Sequence, residues 1–163
     1  MNHYLTATTN NEPFKIKWIN DVHHQNRKVA GTLCVCEQSN NGIFLSIGCG
    51  VNLNSSPMPS TSVCLSELTG NVDVDEFVRL LAVRIMIYFA KADKNGFEGE
   101  LLEAVQSRLE YLNEKVNIYD DALVEVLHTG TFEGINSFGH AKIRQIDGSL
   151  LEVMHGRMRR SAK

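Results

Sequence analysis

The sequence predicts an α+β protein in which a sheet with helices is followed by a small barrel of strands. Three observations lead there. Between residues 14 and 47, Phe14 to Trp18 alternates apolar and basic residues and two further strand-like runs flank a strong turn signal, the pattern of a sheet. Residues 74–112 repeat apolar positions at helical spacing. After Asn113, five short apolar runs follow one another at close intervals, which suits a small barrel of the SH3 kind. A boundary near Asn113 therefore divides the chain into 1–112 and 113–163.

Each element has a local reason. Phe14 to Trp18 alternates apolar and basic residues and reads as a strand. Asp21 to Lys28 is polar and turn-like, with His23 and His24 expected as exposed loop residues. Val29 to Cys36 is a second strand; Ser39-Asn40-Asn41-Gly42 is a turn, and Ile43 to Ile47 pairs back across it. Asn52 to Ser62 holds all but one of the prolines and reads as loop. Asp73, with Glu76 three residues on, resembles a capping box. Val74, Phe77, Leu81, Ile85 and Tyr88 share one helical face, and Leu80, Val83 and Ile87 add apolar surface elsewhere, so this helix is expected to be largely buried. Asn95-Gly96 breaks it, and Leu101, Val105, Leu109 and Leu112 mark a second helix. The barrel strands are expected at Val116–Tyr119, Leu123–Leu127, Thr131–Ile135, Ala141–Ile146 and Ser149–Met154.

Bulk properties narrow the function. A formal charge of −3 over 163 residues gives no general attraction to nucleic acid or to an anionic membrane. The cluster Arg157, Arg159, Arg160 and Lys163 reads as a solvated basic tail. No apolar run approaches the ~18–20 residues that span a bilayer. Met1 to Glu12 is polar and lacks both a secretory apolar stretch and arginine, so the chain reads as soluble and cytoplasmic. Cys34, Cys36, Cys49 and Cys64 form no Cys-x-x-Cys pair and read as reduced core thiols rather than a metal cluster.

Two stretches could carry chemistry. Lys17-Trp18-Ile19-Asn20-Asp21-Val22, followed by Arg27-Lys28-Val29-Ala30-Gly31, gathers cations, an amide and a carboxylate at strand ends. Its lysines could neutralise phosphate or carboxylate, and Gly31 would let a ligand approach the backbone. The bland alternative is a charged hairpin with a core tryptophan. Ser46-Ile47-Gly48-Cys49-Gly50-Val51-Asn52 could expose backbone N–H groups to an anion, with Asn52 reading a ribose or phosphate oxygen; a tight turn or bulge explains it equally.

Together the two stretches resemble the paired signatures of biotin protein ligases. Lys17-Trp18-Ile19-Asn20-Asp21 with Arg27-Lys28-Val29-Ala30-Gly31 is similar to the first, with Ile19 where the family usually has proline. Ile47-Gly48-Cys49-Gly50-Val51-Asn52 with Pro59-Ser60-Thr61-Ser62 is similar to the second. The resemblance runs from about Phe14 to the end of the chain. It implies part of a biotin/lipoate ligase-type mixed sheet with helices, then the SH3-like barrel, and the ATP-dependent biotinylation of a carboxylase lysine through biotinyl-AMP.

By this resemblance Lys28 is the catalytic cation and also binds biotin, with Gly31, Leu33 and Gly48 lining the biotin cleft. Lys17, Asn20 and Asp21 lie on the nucleotide side, and Cys49, Gly50, Val51 and Asn52 border the adenylate. The implied cofactors are ATP, biotin and Mg²⁺, with Asp21 the candidate Mg²⁺ ligand. The implied partner is the biotin-acceptor domain of a carboxylase, and a homodimer is compatible. The resemblance also implies an upstream half-domain with a Gly-Arg-Gly-Arg loop, yet no glycine precedes Gly31 and no arginine precedes Arg27. Weak or no activity alone is therefore expected. The alternatives are a non-catalytic module that binds a carboxylase domain and a lipoate-type ligase of the same scaffold.

Overall fold

The computed structural model describes residues 13–40, 42–54 and 57–161; Met1 to Glu12, Asn41 of the expected turn and Lys163 of the basic cluster lie outside them. The element order is β1 (Lys15–Lys17), β2 (Asp21–His24), β3 (Arg27–Ser39), β4 (Gly42–Val51), α1 (Leu65–Thr69), α2 (Val74–Asn95), α3 (Glu100–Gln106), β5 (Lys115–Tyr119), β6 (Val126–Ile135), β7 (Ala141–Arg144), β8 (Leu150–Val153) and β9 (Arg157–Arg160). The class is α+β, as expected. The described residues form two compact units. One contains residues 20–77 with the described residues before Lys15; the other contains 15–19 and 78–161, so α2 starts in the first and continues in the second.

In the first unit β2, β3 and β4 are neighbours in that order, with antiparallel ladders. The polar stretch expected as a turn is mostly strand. Gln25 and Asn26 alone make the turn, both with positive φ (49° and 62°), and His24 pairs with Arg27 across them. Positive φ at both central residues is the geometry of a type I′ hairpin, usually signalled by glycine. His23 and His24 are consequently buried strand residues, not loop residues, and the His24 ring lies 5.4 Å from that of Phe14. β3 and β4 continue in register from Ala30↔Val51 to Ser39↔Gly42, as the hairpin pattern predicted.

This hairpin is exposed over most of its length. Leu33, Val35, Ile43, Phe44, Leu45 and Ile47 are all open, and three of the four cysteines expected in a core, Cys34, Cys36 and Cys49, are exposed thiols. β4 is the last strand of its sheet among the described residues. The expected burial of α2 also fails: Phe77 is its buried residue, while Val83, Met86, Ile87, Tyr88 and Phe89 are exposed. The apolar pattern is real, but the described residues do not cover it. The helix start holds, because Asp73 Oδ1 accepts the Glu76 N–H at 3.0 Å. Helix α1, missed in the sequence, follows Cys64, whose N–H donates to Glu67 Oε1 at 3.2 Å. That bond, chiefly, holds the Glu67 carboxyl below the usual range, with Arg27 adding to it.

The second unit holds a five-stranded antiparallel sheet in the order β8-β7-β6-β5-β9. Its core gathers Val116, Ile118, Phe132, Ala141, Ile143, Val153 and Met158 around Trp18 and Leu109. Two expectations are corrected. The Thr-Gly pair expected as a turn lies inside β6, because Gly130 has no side chain where β7 crosses: a Cβ there would collide with the Arg144 carbonyl oxygen and Ile143 Cγ2. The basic tail is strand β9. Met158 points into the core, and Arg160 bonds Glu114 and lies 5.4 Å from the Tyr111 ring centroid. Likewise α3 ends at Gln106, because residues beyond it bridge to β1: Ile16 N–H donates to the Arg108 carbonyl at 2.7 Å, and Glu110 N–H to the Ile16 carbonyl at 2.8 Å.

Gly130→Val should therefore destabilise the chain by about 1–3 kcal/mol through overpacking, read as a lower urea midpoint. The Glu133–Arg144 pair makes a pH prediction. Two bonds of 2.9 Å from the Arg144 guanidinium hold the Glu133 carboxyl below its ordinary value. A depressed folded value gives stability that is present above the unfolded value and lost as pH falls through the folded one. In urea melts across pH, Glu133→Gln should be less stable than the parent at neutrality and converge with it in acid.

Candidate functional site

An open cleft of about 730 Å³ lies in the first unit, lined by Asn20, Asp21, Lys28, Ala30 to Leu33 and Gly48 to Asn52. Its volume falls within the range of small-molecule sites. Every residue to which the resemblance gives a site role lines it except Lys17, which belongs to β1 in the second unit and is 9% exposed. Trp18 also belongs to that unit's core, where its Nε1–H donates to the Gly139 carbonyl at 2.9 Å. The Trp18–Ile19 peptide bond is cis.

One irregularity organises the cleft. On β2, Val22 pairs with Ala30 but His23 pairs with Lys28, so Val29 is an extra residue on β3. In an uninterrupted strand Lys28 would share a face with Ala30, opposite Gly31. The bulge reverses that alternation and turns Lys28 to the Gly31 face. Asp21 pairs with Gly31 on that same face, and Lys28 Nζ lies 2.5 Å from Asp21 Oδ1.

The backbone at the bulge is held from two sides. Lys28 N–H donates to the Thr61 carbonyl (2.9 Å), and its carbonyl accepts from Val63 N–H (3.0 Å) and from Asn52 Nδ2 (3.2 Å). Asn52 N–H also donates to the Val29 carbonyl at 2.8 Å. Asn20 works similarly further along β3: its Nδ2 donates to the Thr32 carbonyl (2.6 Å), and Thr32 N–H returns a bond to the Asn20 carbonyl (3.0 Å). Thus the side-chain amides of Asn20 and Asn52 brace the strand that carries Lys28.

The floor of the cleft is nearly free of side chains. Gly31 faces Gly50, and Leu33 faces Gly48, on one side of the ladder. A Cβ added at Gly48 or Gly50 would meet only a backbone oxygen at 3.7 or 3.8 Å, an ordinary contact. Neither has positive φ, so the fold does not require glycine at either place. The glycines leave a trough beside a lysine, with Leu33 (67% exposed) as an apolar wall. Sequence reasoning missed Ala30 and Thr32 as lining residues. The segment of Thr61 and Ser62 pairs with Lys28, a contact that no spacing rule encodes.

The biotin/lipoate A/B protein ligase family model matches residues 3–52. Over 145 residues the chain is 32% identical to the biotin–[acetyl-CoA-carboxylase] ligase of Paracoccus denitrificans, covering 79% of this chain and 56% of that protein. It also matches the biotin protein ligase of Aquifex aeolicus, with TM-score 0.78 and 29% identity over 93% of this chain and 67% of that one. The chain is related to the biotin protein ligases over part of their length. A structure of the Aquifex ligase in complex with biotin and ATP superposes with TM-score 0.75 at 29% identity. The chain spans little more than half the length of its curated ligase relative. The family match contains β2, β3 and the Gly48–Asn52 segment, so the bulge, the lysine and the trough all fall within it.

Gly50→Ala should leave the fold intact and raise stability by roughly 0.5 kcal/mol, because glycine weakens a strand interior. Thermal unfolding checks this: a marked fall in Tm would show that the glycine serves packing rather than open space.

Proposed function

We propose that the cleft is the biotin and adenylate site of a biotin–[carboxylase] ligase. The observation that carries this is Lys28, turned by the bulge over a trough without side chains, in a chain related to such ligases. In the first step the biotin carboxylate attacks the α-phosphate of ATP, giving biotinyl-AMP and pyrophosphate. In the second, a lysine amine of a carboxylase biotin-acceptor domain attacks the mixed anhydride and AMP leaves.

Lys28 would offset the negative charge that builds between carboxylate and phosphate in the transition state and donate to the biotinyl carbonyl. Gly31, Leu33 and Gly48 would border biotin; Cys49, Gly50, Val51 and Asn52 would border the adenylate. Asn20 and Asp21 would serve the nucleotide side, and for Lys17 that assignment rests on the resemblance alone. Mg²⁺ would supply neutralisation of the phosphates. Asp21 is the only carboxylate among the lining residues, and Mg²⁺ commonly takes one or two carboxylates with substrate phosphate and water, so the residues fit a site completed by the nucleotide.

The reaction would take place in the cytoplasm, without nucleic acid or membrane; no helix among the described residues is long and apolar enough to cross a bilayer. A homodimer is compatible with this reading. The 163-residue polypeptide tested by itself should turn over weakly or not at all, since its curated relative is matched over 56% of its length. That partial coverage also supports a second reading, a module that binds a carboxylase acceptor domain without ATP.

Calorimetric titration with a non-hydrolysable biotinyl-adenylate analogue separates the two. The ligase reading expects binding that Lys28→Ala weakens at least about tenfold, the worth of a hydrogen bond to a charged group. Gly50→Ala should weaken it too, by filling the trough. A folded chain that ignores the analogue and binds the acceptor domain without ATP would overturn the ligase reading.

A further inference from the structure

The cation of the cleft already has a partner. Lys28 Nζ lies 2.5 Å from Asp21 Oδ1, with both side chains part-exposed. The pair closes directly over Gly31. A Cβ on Gly31 would stand 2.9 Å from Asp21 Oδ1 and from Lys28 Nζ, closer than such atoms approach, and 3.1 Å from Lys28 Cε, a tight contact. Gly31 lacks a positive φ, so its backbone does not call for glycine. The ion pair does. Gly48 and Gly50 differ, since nothing but backbone oxygens at ordinary distance surrounds them.

We propose that Asp21 is the resting counter-ion of Lys28, that Gly31 is the clearance allowing the pair to close, and that the cleft accepts its ligand by anion exchange. The carboxylate of the incoming ligand replaces the Asp21 carboxylate on Lys28. The identity of that ligand as biotin rests on the ligase reading; the pair and the clearance rest on geometry alone.

Exchange has a consequence for specificity. Lys28 is compensated before and after free biotin binds, so the biotin carboxylate gains only the difference between two ion pairs, a few-fold in affinity at a part-exposed site. A neutral amide of the same ligand cannot replace Asp21 and leaves the pair closed. Asp21 therefore tempers the preference for carboxylate over amide that an unpaired Lys28 would impose, because only the carboxylate has to displace it. Asp21 and Gly31 act here as positioning residues through Lys28.

The test uses protein with ¹⁵N-labelled lysine. An ammonium held in an ion pair exchanges slowly enough to give a side-chain resonance in the cold, and Lys28→Arg assigns it by its loss. The resonance should be present in the parent and lost in both Asp21→Asn and Gly31→Ala. All three atoms that crowd a Cβ at position 31 lie toward the ends of flexible side chains, so Gly31→Ala should keep its fold, checked by circular dichroism. An unchanged resonance in folded Asp21→Asn would overturn the counter-ion.

Biotin and biotinamide titrations follow. Asp21→Asn should bind biotin roughly two- to fivefold more tightly while biotinamide is unaffected; equal or weaker biotin binding would overturn the exchange. If the resonance behaves as expected and no form binds biotin, the ligase reading fails while the counter-ion pair stands.

Discussion

The extra residue at Val29 is the constraint on which the cleft depends. An uninterrupted strand alternates its side chains, so a lysine three positions before Gly31 would by default face away from it. One unpaired residue reverses that, and the remaining cleft is arranged to keep the reversal fixed. Val29 is buried, Asn52 bonds its carbonyl, and the segment around Thr61 and Val63 pairs with Lys28 on the side away from β2. A bulge left to itself would bend and slide; this one is bonded through both its main-chain neighbours and the end of β4.

Much of this was legible in the residues. The β3–β4 hairpin, the cap at Asp73 and the break after Asn95 follow from local patterns that no tertiary contact overrides. The cleft residues were legible because the two signatures fall on paired strands, Gly31 opposite Gly50. What stayed hidden depends on distant neighbours. Gln25-Asn26 carries no glycine, so the first hairpin looked like loop. The glycine of Thr129-Gly130 looked like a turn because only the crossing of β7 reveals the need for it. Arg157 to Arg160 looked like tail because one buried methionine among arginines is a weak strand signal. The burial of α2 was misjudged because periodicity reports which face wants covering, not whether anything covers it.

The two asparagines of the motifs line the cleft but spend their side chains on the backbone. Both were expected to reach toward a nucleotide. In the structure their amides are engaged with the carbonyls of Thr32 and Lys28. One amide bonds the main chain at Lys28 and the other at Thr32, so both serve to hold the strand that carries the lysine.

The uncovered hairpin has a bearing on how the polypeptide behaves in a test tube. Among the described residues β4 ends its sheet as a ten-residue rim of main-chain donors and acceptors, flanked by isoleucine, leucine and phenylalanine. Such a rim templates further strands. Exposed thiols on the same ribbon could then turn a reversible encounter into a covalent one in air. Colloidal behaviour, and with it yield and shelf life, should be governed by this ribbon far more than by the melting of either folded unit.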